Sequence, residues 1–240
     1  MILSNYDTWY SRRLKAEHQQ WFRNLVDFHE ITLGWLGELK IDRLPHELPR
    51  GVSPKLDKSI SENLWMLNSL PSRNLNALLD DTCVDDTLAR LEHALWAVQA
   101  WTLGHLLEKD ARGALENLLE QVSWKLGRKC AEARWKGILR SATEDLPRLV
   151  STLSDSPFAG YPHETNFLPQ RETRAEVALE LRTCPHQSPY PEIKPYSDLL
   201  CHLHTHWMRG FIYALNSKAT VELKRGSHEL RCTQRWFFIQ

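Results

Sequence analysis

No stretch of this chain stays apolar for the roughly 18–20 residues that a helix needs to cross a bilayer, so a helical membrane span is not expected. Its first residues, Met1 to Asp7, lack the ordered basic, apolar and small-residue segments of a secretory leader. Excess charge is missing too. Thirty basic residues balance thirty acidic ones, which leaves no general field to hold nucleic acid or an anionic membrane surface. Cysteine is sparse and odd in number, five in all and without a CxxC pair. That argues against a disulfide framework and against a zinc ribbon. Reduced thiols in a cytoplasm are the expectation. There is no internal repeat and no low-complexity tract, and 240 residues suffice for one large domain or two small ones with a true core.

What the chain does have is tryptophan and histidine, ten and eleven respectively. Most of the tryptophans are expected in the core, Trp96, Trp124 and Trp135 among them. His186, His202, His204, His206 and His228 all fall in the last quarter, together with Cys184, Cys201 and Cys232.

Helical spacing dominates the first 140 residues. Trp21, Leu25 and Phe28 recur on one face. Pro45, Pro49, Gly51 and Pro54 then break the chain, residues 59–70 offer a short helix, and Pro71 ends it. Asp85 or Asp86 is placed to cap a helix whose apolar stripe is Leu88, Leu91, Leu95 and Val98. A longer helix is expected over 109–135, burying Ala111, Leu115, Leu118, Val122 and Leu126, with Glu116, Glu120, Lys125 and Arg128 away from that face. Gly127 inside it costs about 1 kcal/mol relative to alanine, which marks it as a point of close packing.

The character changes after a proline-broken stretch, 146–171, read as loop. Val177, Leu179 and Leu181 alternate with polar neighbours, a strand that Cys184-Pro185 ends. A helix over 197–215 follows, then strands over 220–224 and 230–239 with Gly226 in their turn. The prediction is an α+β protein: an N-terminal helical region, 1–104, then a domain over 105–240 built from a long helix and a small antiparallel sheet with a packed helix.

Cys184 ends a strand, Cys201 starts a helix, and Glu222 and Cys232 lie in the two hairpin strands, positions where separate elements converge. Thiolates and a carboxylate are competent zinc ligands; small cysteines also simply pack sheet–helix interfaces. Asp198, His202 and His206 stand at i, i+4 and i+8 on one helical face, and the two histidines are spaced to share a metal. No Glu follows His202, so the zinc-protease motif is absent. Cys201 near a helix N-terminus, with a histidine beside it, would also suit a nucleophile.

The run from Cys201 through His202, His204, His206, Trp207 and Gly210, followed by Val221, Glu222, Gly226, Cys232 and Phe237, resembles the end of the 4-vinyl reductase-like domain. The helix from Ala111 to Gly127 is similar to that family's helix, and Cys184-Pro185 resembles the related L-2-amino-thiazoline-4-carboxylic acid hydrolases. The likeness spans about residues 105–240. It implies a domain enclosing a small, mostly apolar ligand, with Cys201, Glu222 and Cys232 holding zinc (or iron). Arg225 stands where that family has a second hairpin cysteine, so Cys184 or a histidine would have to supply the missing ligand.

Two functions follow as expectations. One is a hydrolase-like enzyme acting on a C–N or C–S bond of a small heterocyclic or amino-acid-derived substrate, with Cys184, His202 and His206 catalytic. The other is a metal-stabilised small-molecule-binding domain, sensor or accessory, without catalysis. A third class is a helical metal-binding protein resembling the DinB-like bundles, with His202, His206 and a distant histidine such as His46. The expected partner in each case is a small molecule rather than nucleic acid or membrane. The N-terminal helices offer surface for a homodimer or a protein partner.

Overall fold

Trp21, Leu25, Phe28 and Trp35 share one side of the first helix, α1 (Ala16–Glu38), and all four are buried. The computed structural model describes residues 16–38, 84–107, 113–135, 145–151, 167–181, 197–225 and 232–239. Residues 59–70, His46, Cys184 and Gly226 lie outside these. The second helix, α2 (Val84–Leu107), buries the expected stripe of Leu88, Leu91, Leu95 and Val98. Asp85 and Asp86 are in its first turn rather than ahead of it as caps, where a carboxylate meets the positive end of the helix dipole.

The next helix, α3 (Ala114–Trp135), begins later than residue 109. Gly113 has φ 65°, a left-handed conformation that interrupts a right-handed helix and that glycine adopts at little cost. Asn117 then donates to the Gly113 carbonyl from its backbone N at 3.3 Å and from Nδ2 at 3.0 Å.

Two elements fall in the stretch read as loop, α4 (Leu146–Ser151) and β1 (Phe167–Glu172). Each accommodates its proline. Pro147 sits in the first turn of α4, where a missing N–H costs nothing, and Leu149 N donates to the Asp145 carbonyl at 3.1 Å. Pro169 sits in an edge strand, beside a register shift between Pro169 and Arg171.

The remaining elements are β2 (Glu176–Leu181), α5 (Ser197–Leu215), β3 (Ala219–Arg225) and β4 (Cys232–Phe238). The four strands form an antiparallel sheet in the order β1-β2-β4-β3. The protein is thus α+β. No described helix is long and apolar enough to cross a membrane.

Register decides which strand residues reach the core. Val177, Trp236 and Val221 lie side by side across β2, β4 and β3, all buried. The next row, Ala178, Arg235 and Glu222, faces the other way. On that face Arg235 Nε donates to Glu176 Oε1 at 2.7 Å and Arg171 Nη1 lies 3.3 Å from Glu176 Oε2. The Arg235 hydrogen bond holds the Glu176 carboxyl below its ordinary range.

One hydrophobic cluster runs through all five described helices and β2, β3 and β4. The described helices of the first hundred residues therefore pack onto the rest of the chain. Polar ties fix their register. Trp21 Nε1 donates to Glu92 Oε2 at 2.7 Å, joining α1 to α2. Trp35 Nε1 donates to Ser123 Oγ at 2.7 Å, joining α1 to α3 inside the core. Ser123→Ala orphans the buried Trp35 N–H, and denaturant unfolding should register a loss of about 1–3 kcal/mol. The double variant Trp35→Phe with Ser123→Ala should lose less than the two single losses added, because no orphaned donor remains.

Candidate metal centre

The helix α5 is apolar on most of its circumference. Leu200, Leu203, Trp207, Phe211, Ile212 and Leu215 are all buried, which makes α5 the central helix, between α3 and the sheet. Apart from the buried His204 and Thr205, the polar side chains of its middle form one stripe: Asp198, His202, His206, Arg209 and Tyr213, spaced by four, four, three and four residues. It runs along one side of the α5 surface.

The neighbour of that stripe is set by two glycines. A Cβ built on Gly127 of α3 would lie 2.0 Å from the Trp207 carbonyl oxygen, and one on Gly210 of α5 would lie 1.9 Å from the Trp124 carbonyl oxygen. Backbone meets backbone at this crossing, and only glycine permits it. Close packing at Gly127, expected from its helical position, is therefore observed. Glu120 precedes Gly127 by seven residues, two helical turns, and so shares its side of α3. His206 and His202 precede Gly210 by about one and two turns. The crossing brings these three residues to one place.

His202 Nε2 donates to Glu120 Oε1 at 2.5 Å, and His206 Nε2 lies 3.7 Å from Glu120 Oε2. The two imidazole rings pack edge-on, centroids 4.8 Å apart. One ligand atom from each of Glu120, His202 and His206 falls within 4.8 Å of the others, the one such trio of His, Cys, Asp or Glu among the described residues. The side chains are 23, 46 and 20 % exposed, respectively, so the trio opens to solvent on one side. Burial lowers the pKa of His206; Glu120 opposes that shift, while the charges of His202 and Arg209 add to it. A lowered pKa keeps its imidazole neutral near pH 7, the form that ligates metal.

Two of the residues singled out from the sequence thus come together, His202 and His206, and with a partner that sequence spacing had assigned to the solvent face of α3. Asp198, the third member of the expected ladder, is exposed and outside the trio; Glu120 takes its place. The set Cys201, Glu222 and Cys232 is described only in part, because the side chain of Cys232 lies outside the described residues. Cys201 is buried in the first turns of α5. Glu222 alternates with Val221, which enters the core beneath α5, and so faces the opposite side of the sheet. Neither Cys201 nor Glu222 belongs to a potential ligand cluster among the described residues. Cys232 opens β4, across from Leu181 and Arg225. Cys184 lies outside the described residues.

Two imidazoles and one carboxylate on two helices form a donor set of the kind that could hold zinc or non-haem iron(II). No protein-family model matches the sequence, and no curated protein matches it.

Proposed function

We propose that the chain binds one divalent transition metal, zinc or iron(II), through Glu120, His202 and His206, and that it is a metal-dependent hydrolase-like enzyme acting on a small molecule. The observation that carries this reading is the convergence of three donors from α3 and α5 within 4.8 Å at a partly exposed edge. Structural zinc is normally enclosed by four protein ligands, whereas catalytic zinc keeps an open position beside three. The three donors found among the described residues and their exposure both favour the second kind. A zinc ion there would bring the pKa of a bound water to about 7 and supply the nucleophile for hydrolysis. The C–N or C–S bond of a small heterocycle is the substrate class to assay first, because the C-terminal motif resembles that of the thiazoline-carboxylate enzymes.

The chain's own contribution is to hold the donors. The Gly127–Gly210 crossing fixes the spacing of the two helices. Burial of His206 favours the neutral imidazole. His202 Nε2 donates to Glu120, so a metal bound at that nitrogen would displace the proton to Nδ1 or to solvent and replace the hydrogen bond.

The test is metal titration of the purified full chain after chelation, with zinc and with cobalt(II) as a spectroscopic substitute. One equivalent per chain is expected. Outer ligand-supporting residues commonly contribute 10–100-fold to metal affinity, so Glu120→Ala, His202→Ala and His206→Ala should each weaken it by more than about 100-fold. Cys201→Ala should leave affinity within a few-fold, and the cobalt spectrum should carry no thiolate charge-transfer band. Substoichiometric uptake, or uptake indifferent to the three variants, rules the reading out. A thiolate band lost in Cys201→Ala would instead restore the cysteine site.

A further inference from the structure

Arg209 follows His206 by three residues on the α5 stripe and His202 by seven, so it borders the donor trio on the same helical surface. Its Nε donates to the Val221 carbonyl of β3 at 3.0 Å. That bond anchors the half-buried side chain and leaves the two Nη groups of the guanidinium fork uncommitted to any carboxylate among the described residues. The location is unusual for an arginine. Placed beside a metal site, its permanent positive charge works against the ion. Such a charge is most readily offset when an anion lies between it and the metal.

Building on the metal reading, we infer that the ligand or substrate of this centre carries an oxyanion, a carboxylate or a phosphate, that Arg209 holds while the metal engages the neighbouring atoms. A guanidinium presents parallel N–H donors that match either group in a bidentate fashion. The backbone anchor at Nε pre-orients the fork, so little side-chain freedom is lost on binding. A metal held by Glu120, His202 and His206 would supply Lewis-acid chemistry there, and Arg209 would orient the molecule by its charged end.

Titrating the cobalt-loaded full chain with acetate and with inorganic phosphate, read by the change in the cobalt spectrum, tests this. Wild-type protein should bind at least one of the two anions, and the tighter one assigns the carboxylate or the phosphate class. Arg209→Gln should weaken that binding by tenfold or more without weakening cobalt affinity, because the substitution removes an anion contact and a positive charge that opposes the ion. Arg209→Lys keeps the charge but loses the planar fork, and it should fall between the two. A thermal melt of both variants checks that the Val221 anchor is not needed for folding, and the Lys variant carries the comparison if the Gln variant melts early. Equal anion affinity in wild type and both variants, or no anion binding by metal-loaded wild type, overturns the assignment while leaving the metal site standing. Failure of wild type to take up cobalt overturns both.

Discussion

Gly210→Ala is expected to destabilise the protein by about 3 kcal/mol or more, at the upper end of what overpacking costs. The added Cβ would lie 1.9 Å from the Trp124 carbonyl oxygen and 2.7 Å from its carbon. These are backbone atoms in the middle of α3, so no rotamer change can clear them. The helices must separate, and the core shared by Trp207, Phe211 and Leu119 opens with them. Gly127→Ala meets the Trp207 carbonyl at 2.0 Å and should behave alike. Gly34→Ala is the control. There the new Cβ meets Leu126 Cδ1 at 2.6 Å, the movable end of a side chain, and the gain in helix propensity of about 1 kcal/mol offsets much of the clash. Denaturant midpoints with unchanged slopes would rank the three. Equal midpoints for Gly34→Ala and Gly210→Ala would refute the backbone crossing. The same displacement should reach the donor trio. Glu120 is held by α3 alone and the histidines by α5 alone, so any Gly210→Ala protein that folds should bind metal at least tenfold more weakly. That loss would occur without any ligand having been altered.

The dependence of the trio on a helix crossing explains what was readable in the sequence. The α5 stripe was legible because i, i+4 spacing puts His202 and His206 on one surface whatever the helix packs against. Gly127 was legible as a contact point because glycine is costly inside a helix. Glu120 was not. Its spacing assigned it to the polar face of α3, and its 23 % exposure agrees with an edge position. Only the angle and depth at which α5 crosses α3 make that edge face the histidines. The cysteine–glutamate set is described only in part, because Cys184 and the side chain of Cys232 lie outside the described residues. It assumed that residues near the ends of elements converge, but strand alternation turns Glu222 from the side of the sheet that Val221 shares with α5. The helices α1, α2 and α5, strand β2 and the final hairpin were legible from period alone. The elements missed, α4 and β1, carry prolines at the two kinds of position that tolerate them, a first helical turn and an edge strand. Whether a strand is an edge is a property of the assembled sheet, not of its own sequence.

Lowering the pH from 6.5 towards 4 should remove about 3 kcal/mol of stability through a single residue, His29. It is 1 % exposed on α1, and neither ring nitrogen has a hydrogen-bond partner among the described residues. Burial alone accounts for its pKa, lowered from 6.5 to about 4. In the unfolded chain the imidazole takes up a proton below about 6.5, while in the folded chain it stays neutral until about 4. Between those values the unfolded state binds the extra proton, so stability falls as pH falls, by up to about 1.4 kcal/mol per pH unit. Above pH 6.5 the contribution is constant. The informative quantity is the difference between wild type and His29→Leu. Removing two orphaned polar atoms from the core should leave the variant as stable as wild type at pH 7.5, or more stable. At pH 4.5 it should be more stable by a further 2–3 kcal/mol or so. Parallel stability curves across pH 4–7.5 would mean that His29 is solvated in the folded protein. The proposed metal site is separable from this effect, because His29→Leu touches none of Glu120, His202 and His206 and should leave any zinc binding at neutral pH as in wild type. Acid-induced loss of metal in the wild type should therefore split into two parts. One is ligand protonation, which persists in His29→Leu. The other is loss of the fold, which the substitution delays to lower pH.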